Sequence, residues 1–592
     1  MSVQSSHAPS LRAPFGSLVE LLHHRALHQA NERAYVFIND AGTELAELTF
    51  KQLDDSSRSL AKRISKLARP GDRALLVFPS GLDFLVAYFA CLYAGIIAVP
   101  AVPPRRGRLR HATLGIASDC RPKLGFTSDA LISNMTQEFA GEAAWDAIRW
   151  MSIKGAPDFE DETGQRSAAS DEIAFLQYTS GSTSAPKGVM VSHGNLLANL
   201  EMIRHALGTT AASTCVSWMP FYHDMGLIYN ALHTLYVGSM CVFMAPASFM
   251  QRPLGWLAAI SKYRAEIGGG PNFGFDLCVN RFKPERVQRL DLGSWRVAFN
   301  GAEPVRARTL QRFSETFAAF GFDRRAFYPC YGMAEGTLLL SGGSRDALPV
   351  IRGFERSDLA RGRVAPVDDI SPDCSHVVGC GSSVVGQSLI IVDPVACREC
   401  GPGEIGEIWV AGPHVAAGYW CNPAATHETF EGVVAGTGAG PFLRTGDAGF
   451  ILDGELFISG RIKDVIIIRG QNHYPQDIEA TVGACHPAFR ENFGVAFAIG
   501  EPGEERLVVI QEVERTWRAS LNPINLVESV RAAVVAEHEL MVSELVLIRT
   551  GTLPKTSSGK VQRRGTRQLY IDGQLELWQA VSAEVELSTS PT

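Results

Sequence analysis

Up to about residue 460 the chain alternates short, apolar, β-rich runs with helix-length segments, and this alternation most narrows what it can fold into. Arg73–Pro79, Cys215–Pro220, Met240–Pro246 and Trp295–Ala302 read as strands, and Leu82–Ala94 as a helix. Leu310, Phe313, Phe317 and Phe320 recur at three- and four-residue spacing along one helix face, with Gly321 placed to end it. Strands alternating with helices predict an α/β fold of largely parallel, helix-covered sheets. A change comes near Gly460–Gly470. Beyond it, strands near Val495–Ile499, Leu507–Val513 and Glu544–Ile548 and a helix near Asn525–Leu540 predict a separate, smaller α+β lobe.

Charge and cysteine usage exclude several classes of function. The chain carries 55 Lys and Arg against 62 Asp and Glu, a net charge of −7, which argues against a general binder of nucleic acid or anionic membranes. The uncharged run Phe84–Pro104 is long enough to suggest a membrane span, but Pro100, Pro103 and Pro104 crowd its end. A buried helix, a turn and a short strand suit it better. The first residues show no apolar core of an export signal, and 12 cysteines in 592 residues are no disulfide framework, so reduced thiols in the cytoplasm are expected. Cys397 and Cys400 have metal-like spacing without a second close pair and read as a hairpin turn. Arg105, Arg106, Arg108 and Arg110 read as a solvated loop.

The most informative segment is Ile173–Val189, IAFLQYTSGSTSAPKGV. An apolar strand runs into a loop of small and hydroxyl residues holding one lysine, and a second strand follows. Small residues let backbone N–H groups approach a polyphosphate, and Thr179, Ser180, Gly181, Ser182, Thr183 and Lys187 supply donors. It is not a Walker loop, because Pro186 precedes Lys187 and Gly188 follows it. Taken alone, a Ser/Gly-rich surface hairpin accounts for it equally well.

Further strings follow in order: FYHDMGL (Phe221–Leu227), NGAEPV (Asn300–Val305), YGMAEGT (Tyr331–Thr337), RTGDAGF (Arg444–Phe450), GRIKDVIIIRGQNHYPQDIE (Gly460–Glu479) and LPKTSSGKVQR (Leu553–Arg563). Together these strings resemble the motifs of the adenylate-forming superfamily, which includes acyl-CoA synthetases, non-ribosomal adenylation domains and luciferases. The resemblance implies a large domain over 1–462, a small mobile domain over 463–592 and a hinge at Lys463. It implies that ATP and a carboxylate yield an acyl-adenylate and pyrophosphate, with the acyl group then passed to an acceptor. A carboxylate attacking a phosphate must overcome charge repulsion, so catalysis is mainly positioning and neutralisation. By resemblance Lys560 sits between carboxylate and α-phosphate, Glu335 holds Mg2+, and Asp447 and Arg461 meet the ribose. Gly301, Ala302, Glu303, Tyr331, Gly332 and Met333 line the adenine, and His223 belongs to the carboxylate pocket, where a core histidine is the competing reading. Ser184 and Ala334 depart from the usual glycine and threonine.

The local wording is most similar to the fatty acyl-AMP ligases, which pass long-chain acyl groups to the phosphopantetheine of an acyl carrier protein or a polyketide or non-ribosomal peptide synthase. The surplus around Val350–Val378 matches their insertion. Gly268, Gly269 and Gly270 with Asn272 and Phe273 form a candidate acyl pocket, although tight strand–helix packing also needs glycine. Arg563, Arg564 and Arg567 either steer an acidic carrier or form a solvated face. A fatty acyl-CoA ligase and a catalytically silent nucleotide- or lipid-binding relative are the alternatives. Lys560→Ala is expected to abolish most adenylation while leaving folding and ATP binding nearly intact, because loss of one group that offsets transition-state charge costs about 2.7–4 kcal/mol. Unchanged acyl-AMP formation would remove Lys560 from the catalytic set.

Overall fold

The uncharged run that opens at Phe84 is a core element. Asp83–Ala94 is a helix buried from Phe84 to Ala94, Gly95 ends it at φ 71°, and Ile97–Pro100 follows as a buried strand. A helix apolar on every side has to be enclosed. It packs along Phe50–Ser65, which turns Phe50, Leu53, Leu60 and Ile64 inward and starts on a Thr49–Gln52 capping box. The computed structural model describes residues 13–103, 108–154, 167–179, 186–286, 289–367, 374–468, 471–501, 504–517, 521–555 and 561–578. No helix among the described residues is long and apolar enough to cross a membrane.

The chain divides into two units. The first comprises Met1–Phe354, Val364–Ile370 and Cys374–Ser459, and the second Glu355–Arg363, Ser371–Asp373 and Gly460–Thr592. The second thus starts inside the Gly460–Gly470 stretch where the pattern changes, and takes in part of the segment expected as an insertion.

The first unit is α/β, as the alternation predicts. Its six-stranded sheet runs Arg149–Met151, Leu124–Phe126, Arg73–Leu76, Ile97–Pro100, Ile173–Thr179, Lys187–Ser192, parallel except for the last pair. A nine-stranded sheet is parallel through its middle, from Arg33–Ile38 across Cys241–Met244, Cys215–Ser217, Ile267–Gly270 and Val297–Asn300 to Phe327–Gly332. A four-stranded sheet adds Ser388–Val392, Gly406–Ala411, Leu443–Leu452 and the strand that opens at Glu455. The expected apolar helix is Ala307–Phe317, and its Leu310, Phe313 and Phe317 are fully buried. Phe313 meets Phe275 edge-on at 5.1 Å, within an aromatic cluster that includes Trp256 and Trp295.

The second unit carries a three-stranded sheet, Phe489–Ile499, Arg506–Val513 and Val542–Ile548, with helices Pro475–Ala484, Pro523–His538 and Arg563–Ile571. Its first strand begins six residues before the run that sequence marks, because Phe489 pairs with Val513 across a bulge.

His233 lies wholly inside the first unit, with its Nε2 2.9 Å from Thr209 Oγ1. Burial, reinforced by Arg204, pushes its pKa from 6.5 down to about 3. The unfolded chain therefore takes up a proton near pH 6.5 that the folded chain refuses until about pH 3. This residue withdraws stability progressively as pH falls through that window and has no such effect above it. In thermal unfolding, His233→Gln is expected to narrow the loss of Tm between neutral and mildly acid pH. An unchanged gap would exclude this contribution.

Candidate active site

The strands Ile173–Thr179 and Lys187–Ser192 form an antiparallel pair with Thr179 directly opposite Lys187. The pairing brings Thr179 and Lys187, both expected to meet phosphate, opposite each other. Ser180, Gly181, Ser182 and Thr183 lie outside the described residues, as does Lys560. The pairing is close: a Cβ on Gly188 would stand 2.8 Å from the ring of Tyr178, so the aromatic lies flat only across a glycine.

The other edge of Lys187–Ser192 is covered from far along the chain. Met190 N–H donates to Gly418 C=O, Ala417 N–H to Met190 C=O, and Trp420 N–H to Gly188 C=O, at 2.7–2.9 Å. This pairing sets the ring of Tyr419 under Lys187, whose Nζ is 4.8 Å from the ring centroid. The Tyr419 hydroxyl donates to Glu335 Oε1 at 2.8 Å. Glu335 is 8% exposed, on the single turn Ala334–Gly336, and its carbonyl accepts the Ala416 N–H. Thr337, which closes the turn, is β-branched yet has φ 66° and ψ −60°, and its hydroxyl donates to His414 C=O. Strain of this kind persists where the surroundings over-determine the backbone.

Tyr331 is the penultimate residue of the strand Phe327–Gly332 that leads into that turn, and its hydroxyl donates to Asp447 Oδ2 at 2.7 Å. Asp447 is held from behind: Thr445 Oγ1 accepts its N–H and itself donates to Ile408 C=O. The buried carboxylate of Glu407 accepts from Gly446 N–H, the Arg444 guanidinium and the Trp409 indole. Glu407 was not singled out in the sequence; its legible sign is the GEIW string preceding the RTGD motif.

Gly301, Ala302 and Glu303 follow the buried strand Val297–Asn300, with Ala302 in the left-handed region at φ 71°. Asn272 braces this segment. Its Nδ2 donates to Glu303 Oε1 and Pro304 C=O, and its Oδ1 accepts from Arg306 N–H. Asn272 therefore braces residues 303–306. The room at Gly270 and Gly274 is filled by the indole of Trp218, stacked on Phe249 at 4.1 Å, and Gly269 backs onto Phe299. These glycines sit in tight packing, and Phe273 meets the same indole at 5.5 Å. Gly268 is buried on the strand beside them.

His223 Nδ1 is 2.6 Å from Asp224 Oδ1, just before a π-helix over Met225–Leu232. Such helices recur at functional sites. Gly332 and Met333 carry the chain from Tyr331 into the Glu335 turn.

Arg461 and Lys463 belong to the second unit. Lys463 lies in the turn Ile462–Asp464, and its carbonyl accepts from Arg564. Arg563 grips Glu479 at 2.7–2.8 Å and lies 3.6 Å from Asp464, and Arg567 donates to Ala498 C=O. The basic trio is engaged internally. Lys555 pairs with Val561, and Gln562 N–H donates to Pro554 C=O, so the flanks of residues 556–560 are held together.

No group of three or more His, Cys, Asp or Glu among the described residues could hold a metal alone. Cys397 packs with Trp409 and Phe442 while Cys400 packs on the main core, a hairpin as the sequence predicts. Arg105 and Arg106 lie outside the described residues, and Arg108 and Arg110 fall in the first turn of the helix Arg108–Cys120.

The model of the AMP-binding enzyme family matches residues 22–420, and that of the Disco-interacting protein 2-like AMP domain matches residues 463–580. The chain is 42% identical over 575 residues to a medium-chain-fatty-acid–[acyl-carrier-protein] ligase of Moorena producens, covering 96% of this chain and 97% of that protein. It is 34% identical to a long-chain-fatty-acid–AMP ligase of Mycolicibacterium smegmatis, over 95% and 96% of the two chains. Among solved structures it is similar to the fatty acyl-adenylate ligase of Legionella pneumophila in complex with acyl adenylate and pyrophosphate, at 38% identity and a TM-score of 0.74, covering 96% and 98%.

A hydrogen bond to an ionised group contributes about 1.5–3 kcal/mol. Tyr331→Phe keeps the ring and removes one hydrogen bond from the Asp447 carboxylate, so, if Asp447 meets the ribose as the motif implies, it is expected to raise KM for ATP by about tenfold. The penalty should shrink for 2′-deoxy-ATP, which lacks one hydroxyl to align, and KM for the carboxylate should not move. An equal penalty for both nucleotides would assign Tyr331 to stacking alone.

Proposed function

This chain belongs to the AMP-binding, adenylate-forming enzymes and, among them, to the fatty acyl-AMP ligases, and on that premise we propose that it loads a medium- to long-chain fatty acid onto a carrier. A fatty carboxylate oxygen attacks the α-phosphorus of ATP, pyrophosphate leaves, and the acyl-adenylate stays bound. The phosphopantetheine thiol of an acyl carrier protein, or of a polyketide or non-ribosomal peptide synthase, then attacks the acyl carbonyl. AMP leaves with the bonding electron pair, and the thiol proton is lost.

The observation that supports this most is the linkage of three motif groups through short contacts in one unit: Lys187 to Tyr419, Tyr419 to Glu335, and Tyr331 to Asp447. Thr179, Lys187 and residues 180–183 are assigned to the phosphates, and Asp447 and Arg461 to the ribose. Gly301, Ala302, Glu303, Tyr331, Gly332 and Met333 are assigned to the adenine, His223 to the carboxylate pocket and Lys560 to the reacting oxygens. Lys463 is the proposed hinge. The acyl tail is assigned to the neighbourhood of Gly268, Gly269, Gly270, Asn272 and Phe273 beside Trp218, whose tight packing would have to open to admit it.

Mg2+ fits this donor set. A hard cation carried in on a triphosphate takes one or two carboxylates and completes its shell with phosphate and water oxygens. Glu335 offers a buried carboxylate oriented through one oxygen. When bound, the cation would neutralise charge building on the phosphates. We place the reaction in the cytoplasm on the free state of all 12 cysteines.

Within the first unit Phe354 packs its ring at 5.2 Å from Phe450 and 5.4 Å from Phe457. Within the second, Arg356 donates to Glu537 C=O at 2.9 Å. We assign residues 350–378 to the exclusion of free CoA. Mass spectrometry of reactions with ATP, a fatty acid panel and either CoA or a loaded carrier tests the function: acyl-AMP and acyl-carrier are expected without acyl-CoA. Acyl-CoA formed as fast as acyl-AMP would make the chain a CoA ligase, and absent pyrophosphate exchange would make it a silent relative. Replacing residues 356–373 by a short Gly/Ser linker, with Phe354 retained, is expected to preserve acyl-AMP formation and raise acyl-CoA output. A folded, adenylating deletion that still makes no acyl-CoA would move the block elsewhere.

A further inference from the structure

Tyr419 belongs to none of the motifs that carry the resemblance, yet it touches two of them. Its hydroxyl is committed to Glu335 Oε1 at 2.8 Å, and its ring lies 4.8 Å beneath the Lys187 ammonium. Its placement is fixed from every side. It is 6% exposed, Val189 pairs with it across the sheet edge, its N–H donates to Thr426 Oγ1 at 3.0 Å, and Phe430 meets its ring at 5.3 Å and 77°. Two groups of opposite charge are thus referenced to one rigid phenol.

We propose that Tyr419 is a positioning residue that couples the cation carboxylate to the phosphate-loop lysine. Donation from a phenol occupies one carboxylate oxygen and turns the remaining lone pairs of Glu335 toward the nucleotide's cation. Partners of this kind behind a ligand tune metal affinity by about 10–100-fold. The ring face attracts the ammonium of Lys187, which is within cation–π range, and so limits the arc that its Nζ sweeps. The phenol separates the ammonium from the carboxylate, leaving each directed at phosphate or cation. The inference rests on the assignment of Glu335 to the cation.

The test uses the full-length protein with the non-cleavable nucleotide α,β-methylene-ATP, reading thermal stabilisation as MgCl2 is titrated, alongside ATP–pyrophosphate exchange over the same Mg2+ range. Tyr419→Phe keeps the ring and loses the hydroxyl. Its Mg2+ midpoint is expected to rise about tenfold in both measurements, while stabilisation by the nucleotide in EDTA stays at the wild-type value. Tyr419→Leu, which also removes the platform, should raise the midpoint and weaken the EDTA response; it carries the test if the Phe variant fails to fold. A wild-type Mg2+ midpoint in either folded variant overturns the proposal, since loss of packing alone would lower Tm without moving that midpoint. Glu335→Gln separates the two levels. If it shifts the midpoint and Tyr419→Phe does not, only the role of Tyr419 fails. If Glu335→Gln leaves the midpoint unmoved, the cation assignment fails and the proposal with it.

Discussion

The candidate site depends on main-chain hydrogen bonds between Lys187–Ser192 and the segment Ala417–Trp420. An edge strand presents unpaired N–H and C=O groups that must be covered or satisfied. Here a segment some 230 residues downstream does both, at N···O distances of 2.7–2.9 Å. Backbone pairing locates a side chain more tightly than side-chain packing alone, so the ring of Tyr419 reaches Lys187 and its hydroxyl reaches Glu335 without further adjustment. The bond from Ala416 N–H to the Glu335 carbonyl ties the same segment to the turn that bears the carboxylate.

A second anchor is the buried carboxylate of Glu407. A charge taken out of water is tolerated only when it is paired and its lone pairs are filled. The Arg444 guanidinium, the Trp409 indole and the Gly446 N–H fill those of Glu407. The result is a stiff Arg444–Asp447 strand, from which the Asp447 carboxylate is presented to Tyr331. The left-handed backbone at Ala302 and Thr337 stands in the same region. Thr337 is held there by the bond from its hydroxyl to His414 C=O.

In the second unit the segment expected to act as hinge is tied to residues that follow 556–560 in the chain. Arg563 follows residues 556–560 almost directly, yet its guanidinium is fixed on Glu479 and faces Asp464, while Arg564 holds the Lys463 carbonyl. Glu512, itself paired with Arg490, accepts from the Gly551 and Leu553 N–H groups and sets the entry to that loop. Arg563 and Arg564 thus link Asp464 and the Lys463 carbonyl to the residues following 556–560.

Much of the fold was legible in the sequence because its determinants are local. The strands around Arg73, Cys215, Met240 and Trp295 are apolar runs of strand length, and the spacing of Leu310, Phe313 and Phe317 belongs to a helix wherever the chain goes. The motif strings named Glu335, Asp447, Tyr331 and Lys187 for the same reason: the residue types and their order are contiguous. What pairs with them was not legible. Tyr419 and Glu335 lie 84 residues apart, and Tyr331 and Asp447 116 apart, with no periodicity linking either pair. The room implied by Gly268–Gly270 was ambiguous by sequence, since absence of a side chain does not say what fills the space; packing put Ile260 and Trp295 at Gly268, Phe299 at Gly269 and Trp218 at Gly270. The sequence by itself determined the elements and the chemical groups this protein has to work with. Only the tertiary structure decided which buried partner each group meets, because a desolvated polar atom takes whichever donor or acceptor the packed backbone brings within about 3 Å.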